Sequence, residues 1–404
     1  MLEVTARHGY ARASVARVAA QAGVSRATFY QHFENREDCF LAAYEEVSAR
    51  IVRELERADA VPAAERPRRL LTALLAAAEH RPAATQAMTV EALGAGQAAL
   101  ERRSRLLARV AGANQRYLQE LPAGSPRPRL PDKALVGGIE GVIALRVYRG
   151  DRARLGRLLF DLLDWFESYA LPAAVPFPTV AEWERLGAAC SPPPDATQAK
   201  AEDDPPSDPR GRILAAVARL SAEKGYATTT VLDIVAAAAV SRESFYACFR
   251  GKNDVFQAAQ VDALQTTISR VAAAFFGSDA WPERVWGGLR ALLEYTAEYP
   301  EKAYLDAVDS CAVGPPAIRR SFENRMAFSV FLEEGYRHGA PASRLPALCS
   351  QAIVGAILEL LRGRLLTGRG DRAYELLPQA AFIALAPFLG GDAALDFVRD
   401  KATC

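Results

Sequence analysis

The chain has 404 residues, half of them hydrophobic, with 49 Lys and Arg against 48 Asp and Glu for a formal net charge of +1. That length makes two to four domains the starting expectation and supplies ample apolar material for buried cores. A near-zero balance excludes a chain that is basic throughout, so any surface for nucleic acid must be local. The six cysteines (Cys39, Cys190, Cys248, Cys311, Cys349, Cys404) form no CxxC pair and the four histidines stand apart. Neither zinc spacing nor a disulfide framework is therefore visible, and a reduced cytoplasmic setting is the simpler expectation. Without a basic start leading into an apolar run, or an 18-residue uncharged apolar stretch, neither secretion nor a membrane span is expected. Nucleophile-elbow, Walker, HExxH and dinucleotide patterns are also missing, so no enzyme, metal or cofactor is expected.

In chain order, the first predicted unit spans residues 1–47. Ser14 can cap a helix running to Ala22, Gly23 supplies the positive φ of a tight turn, and Ser25 can cap a second helix through about Phe33. That is helix-turn-helix spacing. Arg26, Thr28, Gln31 and His32 fall on one side of the second helix, whereas Phe29 and Phe33 share an apolar stripe. Residues 1–36 hold five Arg against two Glu, so this unit is locally basic.

From 48 to 189 the pattern stays helical, with Leu155, Leu158, Leu159, Leu162, Leu163 and Phe166 on one stripe. Val180–Ala189 reads as a short helix packed on this first half. Nine prolines fall between Pro172 and Pro209, and the acidic stretch Glu202 to Asp204 lies among them, so 190–211 is expected to be a disordered linker. The opening pattern then returns with a constant offset of 216: Gly225-Tyr226, Thr230-Val231, Val240-Ser241-Arg242, Phe245-Tyr246, Phe249 and Phe256 repeat Gly9-Tyr10, Ser14-Val15, Val24-Ser25-Arg26, Phe29-Tyr30, Phe33 and Phe40. Such register marks a duplicated architectural unit. The second unit covers 212–262 and is also locally basic, and a second helical domain covers 263–404 with Ile353, Ile357, Leu360, Leu361 and Leu365 on one stripe. Glu79-His80-Arg81-Pro82 has its counterpart in Glu298-Tyr299-Pro300, so the halves correspond beyond the opening repeat. The fold class expected is all-α, two halves each made of a three-helix N-terminal unit and a larger helical domain.

These motifs resemble the N-terminal DNA-binding domain of the TetR family of bacterial transcription regulators. The likeness rests on Gly9-Tyr10, Ser14-Val15, Val18-Ala19, Ala22-Gly23-Val24-Ser25, Phe29-Tyr30, His32-Phe33, Arg36 and Phe40, and on their counterparts from Gly225 to Phe256. The larger domains match that family only loosely. The resemblance implies ligand-binding and dimerising roles for them. It also implies a DNA surface built from Ser14, Ser25, Arg26, Ala27, Thr28, Tyr30, His32 and Arg36, with Tyr30 on a phosphate and Arg36 replacing the family's phosphate-binding lysine. In the second copy the corresponding set is Thr230, Ser241, Arg242, Glu243, Ser244, Tyr246 and Lys252. Three departures weaken that copy: Ala239 stands where glycine is usual, Cys248 replaces a histidine, and Glu243 brings a carboxylate toward the groove. In the first copy the equivalents of Ile213 and Leu214 are missing, so its first helix is expected to fray or to start upstream.

The expected function is a transcriptional regulator, a repressor by the family's habit, that binds double-stranded DNA through two unequal reading helices. The helices near 133–170 and 347–389 are expected to form a four-helix interface within one chain, a pseudo-dimer, with a homodimer as the other arrangement. Different recognition helices imply an asymmetric or pseudo-palindromic operator. A small-molecule effector follows from the resemblance alone; candidate lining residues are Met88, Leu93, Leu106, Tyr117 and Val142 in the first half and Trp286, Tyr295, Tyr304, Phe328 and Phe331 in the second. The alternative is a protein-interaction scaffold whose DNA-binding units have decayed.

Overall fold

The computed structural model describes residues 1–151, 154–190, 208–309, 313–338 and 345–403, and is all-α among them, with 20 helices and one two-residue strand pair. The first half runs α1 (Leu2–His8), α2 (Val15–Ala22), α3 (Arg26–His32), α4 (Arg36–Asp59), α5 (Arg66–His80), α6 (Pro82–Thr89), α7 (Gln97–Glu120), α8 (Asp132–Tyr148), α9 (Leu158–Glu167) and α10 (Val180–Ala189). The second runs α11 (Pro209–Thr228), α12 (Val231–Ala237), α13 (Arg242–Cys248), α14 (Lys252–Phe275), α15 (Trp281–Glu298), α16 (Pro300–Tyr304), α17 (Pro315–Ser329), α18 (Cys349–Leu366), α19 (Leu377–Leu389) and α20 (Gly391–Thr403). The strands, Arg127–Pro128 and Ala170–Leu171, pair antiparallel and only tie the entry of α8 to the exit of α9.

In each N-terminal unit an aromatic pair joins the end of the first helix to the fourth. Tyr10 meets Phe40 edge-on at 4.9 Å, and Tyr226 meets Phe256 at 4.7 Å. Gly9 and Gly225 both take φ 79°, which turns the chain sharply between the first helix and the reading pair. Ile213 and Leu214 are buried in the second unit, whereas α1 starts at Leu2 and Met1 provides no side-chain cap.

The two larger domains share one continuous apolar core that runs from Leu71 to Val398. Its centre is the crossing of α8 over α18. A Cβ on Gly137 would lie 2.8 Å from the Gly355 carbonyl oxygen, one on Gly138 would lie 2.9 Å from that of Ala352, and one on Gly355 would lie 2.7 Å from that of Gly137. Backbone meets backbone there, with Glu359 seated against Gly137, so none of these three glycines can carry a side chain. Trp165 of α9 fills the space beside Gly138, and the Tyr169 hydroxyl donates to the Ile383 carbonyl at 2.8 Å. Leu155, Leu158, Leu162 and Phe166 are buried along one stripe and Ile353, Ile357, Leu361 and Leu365 along the other.

Close approach also brings charge together out of water. Arg103 of α7 donates to both oxygens of Glu359 on α18, each at 2.8 Å, and also to Glu140 on α8. Arg362 donates to Glu359 at 2.5 Å and to the Ala307 carbonyl at 3.1 Å. Glu359 lies between two guanidinia. Burial alone would raise its pKa, but Arg103 and Arg362 together bring it down to about 2.

Two expectations change. Helix α10 forms where expected, stopped at its N-terminus by a capping box between Thr179 and Glu182, but it packs on the second half. Trp183 sits against Phe382 of α19 at 6.1 Å, and Gly187 lies so close to Glu375 that a Cβ would fall on its carbonyl oxygen. Helix α11 begins at Pro209, inside the span expected as linker, because Asp208 accepts from the Gly211 N–H at 3.0 Å and proline suits a first helical turn. The rest of the expected linker, 191–207, lies outside the described residues, as do Cys311 and Cys404.

Replacing Gly355 by Val should force α8 and α18 apart and cost roughly 1–3 kcal/mol in urea unfolding. Gly363→Ala on the same helix, whose new methyl would have only the Lys133 Nζ at 3.9 Å for company, should be neutral or stabilising by under about 1 kcal/mol.

Candidate nucleic-acid interface

Both reading helices are short, and local hydrogen bonds define their ends. In the first unit the Ser14 Oγ accepts from the Arg17 N–H at 3.4 Å, Gly23 turns the chain at φ 68°, and the Ser25 Oγ accepts from the Thr28 N–H at 3.0 Å. In the second, Thr230 and Asp233 form a capping box, and the Ser241 Oγ accepts from the Ser244 N–H at 3.0 Å. Hydrogen bonds from Thr230 and Lys224 lower the Asp233 pKa to about 2. The hydroxyls of Thr28 and Ser244 each lie 2.9 Å from the capping serine's, so cap and first turn form one linked group in both copies. The turn of the second unit is made by Ala239 at φ 49°, a left-handed residue that carries a Cβ.

Beyond the caps, polar and charged side chains make up most of the outward face. Arg26, Ala27, Gln31 and His32 are exposed on α3, with Thr28 half-buried; Arg242, Glu243 and Cys248 are exposed on α13, with Ser244 half-buried. Phe29, Phe245 and Phe249 are buried, while Phe33 is only half-buried. Tyr30 is 57% exposed and Tyr246 is 52% exposed. Each rests edge-on against the buried phenylalanine before it, at 5.5 and 5.3 Å, which fixes the ring and leaves its hydroxyl in solvent. These large exposed aromatics at one place in both copies are available for contact.

Arg36 and Lys252, expected on phosphate, are held differently. The Arg36 guanidinium stacks 4.4 Å over Tyr10 and donates to the carbonyls of Tyr10 (3.3 Å) and Ala11 (3.1 Å). Lys252 lies 4.0 Å over the Tyr226 ring and donates to the Ala227 carbonyl at 3.3 Å, where burial lowers its pKa. Both cations tie the start of the fourth helix to the end of the first.

Sequence reasoning missed a pair of buried carboxylates behind the reading helices. The Tyr10 N–H donates to Glu91 Oε2 at 2.8 Å, and the Tyr226 N–H donates to Asp309 Oδ2 at 2.8 Å. Gln86 strengthens the first contact by donating to the Ala6 carbonyl at 3.0 Å and to Glu91 Oε1 at 3.3 Å. Burial pushes Glu91 up to about 7 and Asp309 up to about 6, against the hydrogen bonds that each accepts. The available signal was spacing: each carboxylate follows its helix-opening proline, Pro82 or Pro300, by the same nine positions.

The larger domains enclose unequal cavities. The first, among α4 to α8, measures about 780 Å³ and is lined by Met88, Leu106 and Tyr117 but not by Leu93 or Val142. The second measures about 150 Å³ and is lined by Tyr295, Phe328 and Phe331 but not by Trp286 or Tyr304, which pack into the core around it. Leu93 and Val142 are likewise core residues. Among the described residues no cluster suits a metal ion, and no helix is long and apolar enough to cross a membrane.

Two capped, solvent-facing second helices on helical bodies define a helix-turn-helix protein of the DNA-binding regulator class. The model of the family "Bacterial regulatory proteins, tetR family" matches residues 2–43 and again 213–259, one match on each N-terminal unit. The chain is a tandem TetR-like protein. Among solved structures it is similar to a tetR-family regulatory protein from Rhodococcus RHA1, with 20% identity and a TM-score of 0.33 over 46% of this chain and 98% of that one. It is similar also to a TetR-family transcriptional regulator from Streptomyces coelicolor, with 20% identity and a TM-score of 0.34 over 52% of this chain and 98% of that one. No curated protein matches it.

Ala239→Gly should stabilise the second unit by about 1 kcal/mol, and Gly23→Ala should weaken the first by a similar amount, each seen as altered amide-exchange protection confined to that unit. The buried carboxylates give a pH signature. Because Glu91 holds its proton to about 7 in the folded state, against about 4.3 unfolded, its contribution is most favourable below pH 4 and is lost as pH rises toward 7. Glu91→Gln keeps an acceptor for Tyr10 but does not titrate. Its melting temperature should therefore decline less between pH 5 and 8 than that of the wild-type chain.

Proposed function

We propose that the protein is a sequence-specific transcriptional repressor that reads DNA with two unequal helices carried by one chain. In this reading α3 and α13 enter successive major grooves one turn of duplex apart, about 34–36 Å, as two subunits of a dimer would. The α8–α18 crossing takes the place of the dimer interface, and an effector in the larger domains changes the spacing of the reading helices. The single observation that carries the reading is the repeated construction of the reading surface: serine-capped helices with Tyr30 and Tyr246 exposed at the same position.

In the first copy, Ser14 and Ser25 lie at helix starts, where hydroxyls and backbone N–H groups meet phosphate, and Arg26, Ala27, Thr28 and His32 face base edges. In the second, Thr230 and Ser241 take the helix starts, while Arg242, Ser244 and Glu243 face the groove; Glu243 can accept from a cytosine amine and repels phosphate. Arg36 and Lys252 act on DNA through the helix ends they brace. Regulation requires only that an effector bind the DNA-competent and incompetent spacings with different affinity.

Selection from random duplexes should return one site with two dissimilar halves a helical turn apart; two identical halves, or no enrichment, would overturn the reading. Tyr30→Ala should weaken binding at one half only, and Tyr246→Ala at the other. Arg26→Ala should cost about 1–3 kcal/mol at its own half-site and relax the base preference there, with little change in the salt dependence.

A further inference from the structure

The first-half cavity is walled by apolar side chains, among them Leu71, Leu74, Leu106 and Val110, and by the rings of Tyr44, Tyr117 and Phe166. Among its charged lining residues Arg103 and Glu140 belong to the buried bridge, and these two differ in what they have left to offer a ligand. Arg103 is 3% exposed, already serves two carboxylates, and has its Nε sealed away without a partner. Glu140 accepts from Arg103, and 17% of its side chain remains accessible. Burial raises the Glu140 pKa with Arg103 as the chief opposing charge, whereas Glu359 on the far side of Arg103 is compensated twice. An incompletely compensated carboxylate in an apolar chamber gains from an added cation and loses from an added anion. Three aromatic residues in the same lining, Tyr44, Tyr117 and Phe166, favour the same sign. The mouth is rich in arginine, but Arg57 and Arg66 are paired with Glu54 and Glu120 at 2.5 and 2.6 Å, and Arg50 with Glu46, while Arg53 and Arg81 are exposed and screened by solvent.

Among the described residues the second half offers no equivalent. Its cavity is about 150 Å³, below the roughly 300–1,000 Å³ that a drug-sized molecule occupies, against about 780 Å³ in the first. We propose that each chain binds one lipophilic cation, an apolar body with a single ammonium-type head set against Glu140, in the first-half cavity alone. This deepens the effector reading above and rests on it. The head competes with Arg103 for Glu140, and Arg103 is also the residue that holds Glu359 of the other half. Occupancy in one half therefore alters the bridge between both.

Calorimetric titration of the full chain with decyltrimethylammonium, decanol and decanoate, all below micelle formation, tests this. The ammonium should bind with a stoichiometry of one, at least tenfold tighter than the alcohol, with decanoate weakest. Glu140→Gln should bring the ammonium to the alcohol's affinity and leave the alcohol within twofold. Val110→Trp narrows the chamber from α7 and should weaken binding of ammonium and alcohol alike, which keeps the test decisive if Glu140→Gln misfolds. Equal affinity for all three, preference for decanoate, two sites per chain, or an ammonium preference that survives Glu140→Gln would overturn the proposal. If alcohol and ammonium bind equally and both release DNA, effector control stands and the charge assignment falls. If the ammonium binds at Glu140 without changing DNA affinity, the site stands and release by effector falls.

Discussion

Backbone contact between α8 and α18 is the constraint on which the rest depends. Gly137, Gly138 and Gly355 remove the side chains that would hold the helices apart, and this proximity lets Arg103 of the first half reach Glu359 of the second. Buried ion pairs add little net stability, yet removing one partner leaves an uncompensated charge at a cost of roughly 3–5 kcal/mol. The bridge is therefore better regarded as a device of register. Glu359 keeps Arg362 from its own helix in any register but gains Arg103 only when the glycine contact is closed, so a slipped crossing would leave a buried carboxylate half compensated. α10 adds a second tie, since its Gly187 approaches Glu375 as closely as the central glycines approach each other.

From that fixed centre, the reading units are positioned through the long fourth helix, through apolar packing of the first helix on α6 or α16, and through one buried hydrogen bond each. Each hangs on a carboxylate of the larger domain that accepts from the backbone N–H of Tyr10 or Tyr226, just after a glycine at φ 79°. The acceptor meets the chain where the first helix ends and the turn toward the reading helices begins. Any shift of α6, or of the π-helical turn Leu305–Asp309 after α16, is thus applied at the base of the corresponding unit. Arg36 and Lys252 stiffen the same point from the other side by stacking on the tyrosine whose N–H is held. The lever is short and built alike in both halves, although Glu on one side and Asp on the other make it unequal in reach.

What the sequence disclosed follows from the range of the interactions involved. The caps at Ser14, Ser25, Thr230 and Ser241 are satisfied within three residues, so their helices could be read from local pattern alone. The left-handed turn at Ala239 was legible because the repeat supplied its counterpart Gly23. Contacts across the chain were hidden. The partner of α10 depends on Glu375, nearly two hundred positions from Gly187, and no periodicity in Val180–Ala189 points to it. Arg36 resembled a phosphate contact by position, but its Nη1 donates to two carbonyls at another helix end. Glu91 and Asp309 lay in view of a repeat analysis carried nine residues past Pro82 and Pro300.

Covalent fusion explains how such inequality persists. In a homodimer one substitution alters both interface faces and both reading helices, because the same gene supplies them. Here Gly137 and Gly355 answer each other from different positions, as do Glu140 and Glu359, and each can change alone. Arg103 illustrates the result: it serves carboxylates of both halves, yet it lines the cavity of the first only. The second domain has closed its interior to about 150 Å³ with Tyr295, Phe328 and Phe331 while keeping the crossing helix intact. A small interior is also a better-packed one, and dense packing transmits a displacement where a large cavity would absorb it. The open half suits sensing and the filled half suits bracing, a division that two identical subunits cannot make.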